Sequence, residues 1–160
     1  MEFNPTENQT MIAQAVRDLC EREVRPNVMD WDERQYFPKE LFTKHFGPAG
    51  MLGVFVPEEY GGAGPGYHEY VDIIVEVARI CGSIGLSVAA HNSLCTGHIN
   101  YFGNDAQKAK YLPGIASGEI ITSFALTEPE AGSDSANVQT RATLDGDAYV
   151  LNGGKRFITN

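Results

Sequence analysis

From Ile80 to Asn104 the chain carries no formally charged side chain, and no other stretch restricts the fold so strongly. A run of that length is long enough to cross a bilayer as a helix. Four glycines (Gly82, Gly85, Gly97 and Gly103) and the polar triplet His91-Asn92-Ser93 argue against a membrane, because hydrocarbon offers those polar groups no hydrogen-bonding partner. The expectation is a helix from Ser83 to about Tyr101, apolar or small nearly all round and therefore buried at the centre of a soluble protein.

Helix signals surround that run. Thr6-x-x-Gln9 reads as a capping box, and Ile12, Val16, Leu19 and Val24 follow at helical spacing until Arg25-Pro26. Pro38 is placed as the first residue of a short helix carrying Leu41, Phe42 and Phe46, which Gly47-Pro48 stops. After the apolar run Met51 to Val56, the density of Gly and Pro from Pro57 to Gly66 demands a loop. A further helix places Val71, Ile74, Val75 and Ala78 on one face, and Asn104-Asp105 caps a last one, Ala106 to Leu112, ending near Pro113-Gly114.

At Gly118 the texture changes. Ile120 to Thr127 is a β-type run, Val138 to Leu144 alternates with period two, Asp145-Gly146 signals a hairpin turn, and Ala148 to Leu151 is the returning strand. Lys155 to Asn160 reads as the opening of another strand. The fold class expected is therefore α+β: an all-α helical bundle over residues 1–119, then the first three or four strands of a β-barrel or sandwich domain over 120–160. That β-portion is too small to cover both its faces, so it is expected to be truncated.

Charge narrows the partners. With 12 basic against 21 acidic side chains and a pI near 4.8, the chain is poorly suited to nucleic acid. The acidity is concentrated in residues 1–119, at 9 basic and 16 acidic, against 3 and 5 in the remainder, which sets Lys155-Arg156 where an anionic ligand is expected. Cys20, Cys81 and Cys95 are widely spaced and form no CxxC, as expected of reduced thiols. The stretch Met1 to Pro5 has no signal-peptide or transit-peptide character, so a cytoplasmic location is expected. His91 and His98 lie two helical turns apart with no carboxylate between them, which favours packing histidines over a metal site. Neither a Walker-A loop nor a GxGxxG opening a helix occurs.

The informative stretch is Phe124-Ala125-Leu126-Thr127-Glu128-Pro129-Glu130-Ala131-Gly132-Ser133-Asp134, a strand running into a tight loop whose small residues leave backbone N–H groups open to a ligand. A capped turn, with Glu128 and Asp134 satisfying backbone donors, explains it equally well. The stretch closely resembles the signature of the acyl-CoA dehydrogenase flavoproteins. Three more segments fall in that family's order: Val56 to Gly62, Gly103-x-x-x-Gln107-x-x-x-Tyr111-Leu112-Pro113, and Gly154 to Asn160. Asn137 departs from the small residue usual at the signature's end, and Phe157 stands where many members carry Trp.

The resemblance implies FAD as cofactor, with Phe124, Leu126 and Thr127 against the isoalloxazine ring, Gly132 and Ser133 on the diphosphate side, Phe157 over one ring face and Thr159 near N5. Ser133 would also reach the thioester arm of an acyl-CoA substrate. Leu86, Ala90 and Leu94 recur every four residues on the central helix and are expected to line the acyl pocket, although an apolar stripe is more often plain packing. The implied reaction is α,β-dehydrogenation to a trans-2-enoyl-CoA, with hydride passing to flavin N5 and an electron-transferring flavoprotein as acceptor. In the family the base, usually a Glu, lies in a C-terminal helical domain, so no catalytic residue is expected among these 160 and the chain alone is expected to be inactive. The parent is expected to be a homotetramer. An acyl-CoA oxidase or flavin monooxygenase on the same scaffold, and a non-enzymatic helical interaction module, are the competing readings.

Overall fold

The computed structural model describes residues 4–64 and 66–160; Met1 to Phe3, part of the stretch read for targeting signals, and Pro65 of the glycine-rich loop lie outside them. The chain divides into two compact units, one of Met1–Thr122 together with Asn160 and one of Ser123–Thr159.

The first unit is helical. Helix α1, Glu7–Glu23, starts at the expected capping box: the Gln9 N–H donates to Thr6 Oγ1 at 3.1 Å and the Thr6 N–H to Gln9 Oε1 at 2.8 Å. A short helix α2, Val28–Glu33, follows, which its sequence, with no apolar periodicity, does not announce. Pro38 precedes α3, Lys39–Leu41, as its cap and not as its first residue. The chain then continues in π-type turns over Phe42–Phe46, and Leu41, Phe42 and Phe46 enter the core together.

Helix α4, Tyr67–Ile80, turns a different face inward from the one expected. Val71, Val75 and Ala78 are exposed, while Ile73, Val77 and Glu76 are buried. A carboxylate can sit on the inner face because two guanidiniums reach it: Arg17 of α1 at 2.7 and 2.9 Å and Arg79 at 3.1 Å. The Arg17 hydrogen bond foremost, with Arg79, holds the Glu76 carboxyl below its usual range.

The uncharged run forms α5, Gly82–Ala89, π-type turns over Ala90–Thr96, and α6, Gly97–Phe102. It is not buried all round: Ile84, Val88, His91 and Asn92 face the core, whereas Leu86, Leu94, Tyr101 and Phe102 are exposed. Its amides explain why the apolar run Met51–Val56 forms no strand. Asn92 accepts from the Val54 N–H at 3.2 Å and donates to the Met51 and Val88 carbonyls at 2.9 and 3.1 Å, and Asn100 donates to the Phe55 carbonyl at 2.8 Å. Backbone groups that a sheet would have paired are thus satisfied by side chains. Gly62 closes the following loop, where a Cβ would come within 1.8 Å of the Val56 carbonyl oxygen. Helix α7, Asp105–Ala116, opens on an Asn104–Gln107 capping box and runs through Pro113, not ending at it; burial of Leu112, Ile115 and Ala116 holds the last turn. Among the described residues no helix is long and apolar enough to cross a membrane.

The second unit holds one antiparallel hairpin, β1 Arg141–Asp145 and β2 Ala148–Asn152, in the register Asp145↔Ala148 to Arg141↔Asn152. Gly146, with φ of +64°, takes the left-handed position the expected turn requires. The segments 120–127 and 155–160, read as strands, have the β-type composition but no ladder partners among the described residues, so two strands form where three or four were expected.

Candidate functional site

In the second unit the organising group is Glu128. Its side chain is 3% exposed and accepts the Gln139 N–H at 2.6 Å, the Thr140 N–H at 3.0 Å and the Lys155 ammonium at 2.8 Å. Lys155 also donates to the Leu126 carbonyl at 3.0 Å. With the Lys155 hydrogen bond as the largest cause, the Glu128 carboxyl is pushed down to about 2. Three stretches remote in sequence are thereby tied at one carboxylate. Glu128 also closes the tight turn to Ala131 through backbone bonds of 2.9 and 3.3 Å.

That hub decides where the sequence-predicted residues go. The Arg156 N–H donates to the Thr127 carbonyl at 2.9 Å, so the segment carrying Phe157 and Thr159 runs beside Leu126 and Thr127. Phe157 is 89% exposed and has φ of +57°, a left-handed backbone that a bulky aromatic rarely adopts. Leu126 is also exposed, and Phe124, Thr127 and Thr159 are half-buried. Gly132 and Ser133 follow the Glu128–Ala131 turn, and both are exposed. A Cβ built on Gly132 would meet nothing within 4 Å, and neither residue's N–H donates to another described residue. The arrangement offers a projecting aromatic ring, a neighbouring hydroxyl, and open backbone donors at a tight turn. Those are the groups that recognise a flat heteroaromatic with an anionic tail.

One expectation changes here. Lys155 is committed to Glu128 and Leu126 and is not a free cation for an anionic ligand; of the pair Lys155-Arg156, only Arg156 is exposed. The Glu128–Lys155 pair, 27 residues apart, is what sequence reasoning missed. Its signal was present only as an acidic and a basic residue each inside a recognised motif.

In the first unit, Leu86 and Leu94 are 58% and 43% exposed, but Ala90 between them is 3% exposed. Four residues of α-helix overshoot a full turn by about 40°, and the wider π-type turn that begins at Ala90 swings Leu94 back. Ala90 is left rotated toward Ser87 and His91, where Thr122 and Asn160 close over the helix. His91 is fully buried. Its Nδ1 accepts the Thr122 N–H at 3.2 Å, which leaves the proton on Nε2, 3.3 Å from the Ile115 carbonyl oxygen. Burial pushes its pKa down, so the ring is a neutral packing group. His98 is exposed on α6, its ring tilted against that of Phe102 with centroids 5.8 Å apart.

Comparison with known proteins meets this geometry at both ends of the chain. Residues 6–119 match the family "Acyl-CoA dehydrogenase, N-terminal domain", and residues 123–160 match "Acyl-CoA dehydrogenase, middle domain". The chain belongs to the acyl-CoA dehydrogenase family. The acyl-CoA dehydrogenase, short-chain specific, of Clostridium acetobutylicum is 46% identical over 160 residues, covering 100% of this chain and 42% of the relative. The crystal structure of acyl-CoA dehydrogenase from Geobacillus kaustophilus superposes with a TM-score of 0.92 at 37% identity, covering 99% of this chain and 41% of that one. The acyl-CoA dehydrogenase complexed with FAD from Bacillus anthracis gives 0.91 at 36% identity, covering 98% and 27%. The chain thus spans about two-fifths of the length of the curated acyl-CoA dehydrogenase it matches.

Proposed function

We propose that the chain is the N-terminal and middle-domain part of an FAD-dependent acyl-CoA dehydrogenase that converts an acyl-CoA thioester to the trans-2-enoyl-CoA. The observation that carries the reading is the Arg156–Thr127 backbone bond, because it runs the segment carrying the exposed Phe157 beside Leu126 and Thr127 within one unit. The group set fits the cofactor: an aromatic and an apolar face from Phe157, Leu126 and Phe124, hydroxyls from Thr127 and Thr159, and unused N–H donors at Gly132 and Ser133 for diphosphate oxygens. When bound, FAD supplies the hydride acceptor. Ser133 offers a hydroxyl to the thioester arm of the substrate, and Leu86 and Leu94 offer exposed apolar surface to an acyl chain.

Abstraction of the α-proton needs a carboxylate of raised pKa in a dry site. Glu128 has the opposite character, since Lys155 and two backbone N–H groups stabilise its charge. Asp134 is exposed. We therefore assign no base to residues 1–160, and the reading places it elsewhere in the polypeptide. An electron-transferring flavoprotein as acceptor and a homotetrameric parent belong to the same reading.

The test is to titrate the complete polypeptide with FAD, then add acyl-CoA esters of graded length with an artificial electron acceptor. Stoichiometric yellow flavin, acceptor reduction and trans-2-enoyl-CoA are expected, with residues 1–160 alone giving no turnover. Absence of flavin binding by the complete polypeptide would overturn the proposal, and hydrogen peroxide release without the acceptor would move it to the oxidase class.

A further inference from the structure

In the motif Gly154 to Asn160, the proposed flavin site assigns no role to Asn160. Asn160 Nδ2 donates to the Thr122 carbonyl at 3.0 Å and to the Ser87 carbonyl at 3.1 Å. Both acceptors have a reason to be available. The Ser87 carbonyl shares the Ala90 N–H with that of Leu86 where the helix changes from α- to π-type turns, which leaves its second lone pair for an outside donor. Thr122 belongs to no helix or strand, so its carbonyl has no ladder partner.

Thr122 is itself fixed. Its N–H donates to His91 Nδ1 at 3.2 Å, its hydroxyl donates to the His91 carbonyl at 3.2 Å, and Thr96 donates to that same carbonyl at 2.5 Å. His91 is anchored in turn at the Ile115 carbonyl. A continuous network, Ile115–His91–Thr122–Asn160–Ser87, therefore lies within the first unit.

Thr122 and Asn160 are also the two points at which residues 123–159 leave the first unit and return to it. Every residue proposed to face the flavin ring lies within five residues of one of them: Phe124, Leu126 and Thr127 after Thr122, Phe157 and Thr159 before Asn160. A bond between the two ends removes the closure entropy of a loop that would otherwise be free to splay. We propose that Asn160 is a positioning residue of the cofactor site, its carboxamide clasping the Thr122 and Ser87 carbonyls so that the 124–127 and 157–159 segments are held side by side. This rests on the flavin reading above and adds to it a residue to which that reading assigns no contact with the cofactor.

Two readouts on the complete polypeptide test it. Asn160→Asp keeps the size of the side chain but cannot donate to either carbonyl, and Asn160→Ala removes it; Asn160 is exposed, so both variants should keep the first unit folded. Hydrogen exchange on the FAD-free protein should rise in the peptides spanning 123–127 and 156–159, with α1 and α4 unchanged. The FAD dissociation constant, read from flavin fluorescence, should rise by about tenfold, the equivalent of one or two ordinary hydrogen bonds. Wild-type exchange or wild-type FAD affinity in both variants overturns the positioning role. A wild-type protein that binds no FAD overturns the flavin reading instead, and the exchange measurement then still decides whether the clasp exists.

Discussion

Residues 4–122 and residues 123–159 are held together by different physics. In the helical unit the groups removed from water are Phe42, Phe46, Met51, Leu52, Val77 and Val88 with their neighbours, a contiguous apolar core beside which the buried His91, Asn92 and Thr96 are bonded to backbone and Glu76 to two guanidiniums. In the second unit the buried residues are Glu128 and Ala131, and every residue of the β1–β2 hairpin is exposed. One unit is stabilised by area taken from water, the other by a carboxylate that gathers two backbone donors and an ammonium. The contrast teaches where a binding site can be built. Phe157 and Leu126 can stay exposed because the shape of this unit does not depend on burying them.

Removing an aromatic from the apolar core should have the largest effect. Phe46 is fully buried and packs edge-on to Phe42 at 5.5 Å between ring centroids. Phe46→Ala should cost about 3–5 kcal/mol, a large share of the stability of a domain of this size. Chemical denaturation followed by far-UV circular dichroism measures it. A loss below about 1 kcal/mol would show that the core can collapse around the gap and that burial is not what holds the helical unit.

How much of this could be read beforehand follows the same division. Local rules carry well: the Thr6–Gln9 capping box, the cap at Asn104 and the Leu41–Phe42–Phe46 group of the helical unit, and the hairpin turn at Gly146 of the second, are each written within a few residues. They failed where a partner distant in sequence decides the outcome. Of the face expected to pack in α4 only Ile74 meets the core; Glu76 goes inward instead because Arg17, 59 residues away, and Arg79 make its burial tolerable. The apolar run Met51–Val56 carries no local sign that Asn92 and Asn100 take its backbone bonds. At the candidate site, the residues Phe124 to Ser133 and Phe157 to Thr159 are proposed through family resemblance. The hub that arranges them was not, because nothing local marks Glu128 and Lys155 as partners.

A pH experiment sharpens the contrast from the helical side. Burial lowers the pKa of His91 in the fold, so the unfolded chain binds a proton more readily than the folded one. The native state accordingly has this stability above the unfolded value near 6.5, and loses it as pH falls through the lower folded value. The melting temperature of the helical unit should fall between pH 7 and pH 5, a window above that in which the carboxylates Glu76, Glu21, Glu40 and Glu128 titrate. His91→Gln should flatten that slope. A slope that survives the substitution would mean the buried imidazole is not its origin.

The smallest effect on overall stability, and the most local, should come from Glu128→Gln. An amide keeps the shape of the carboxylate but loses its charge, and its NH₂ end would face the Thr140 N–H or the Lys155 ammonium, donor against donor. The helical unit shares none of these bonds, so its melting should be unchanged. Hydrogen exchange should rise together at 126–131, 139–140 and 155–156, the segments that meet at the hub. Acid should reproduce this in the wild type. The folded carboxyl titrates at about 2 against 4.5 for the free group, so its contribution is complete above pH 4.5 and disappears as pH falls toward 2. Exchange that rises at only one of the three segments would mean they are held independently, and the division between an area-held unit and a charge-held unit would no longer stand.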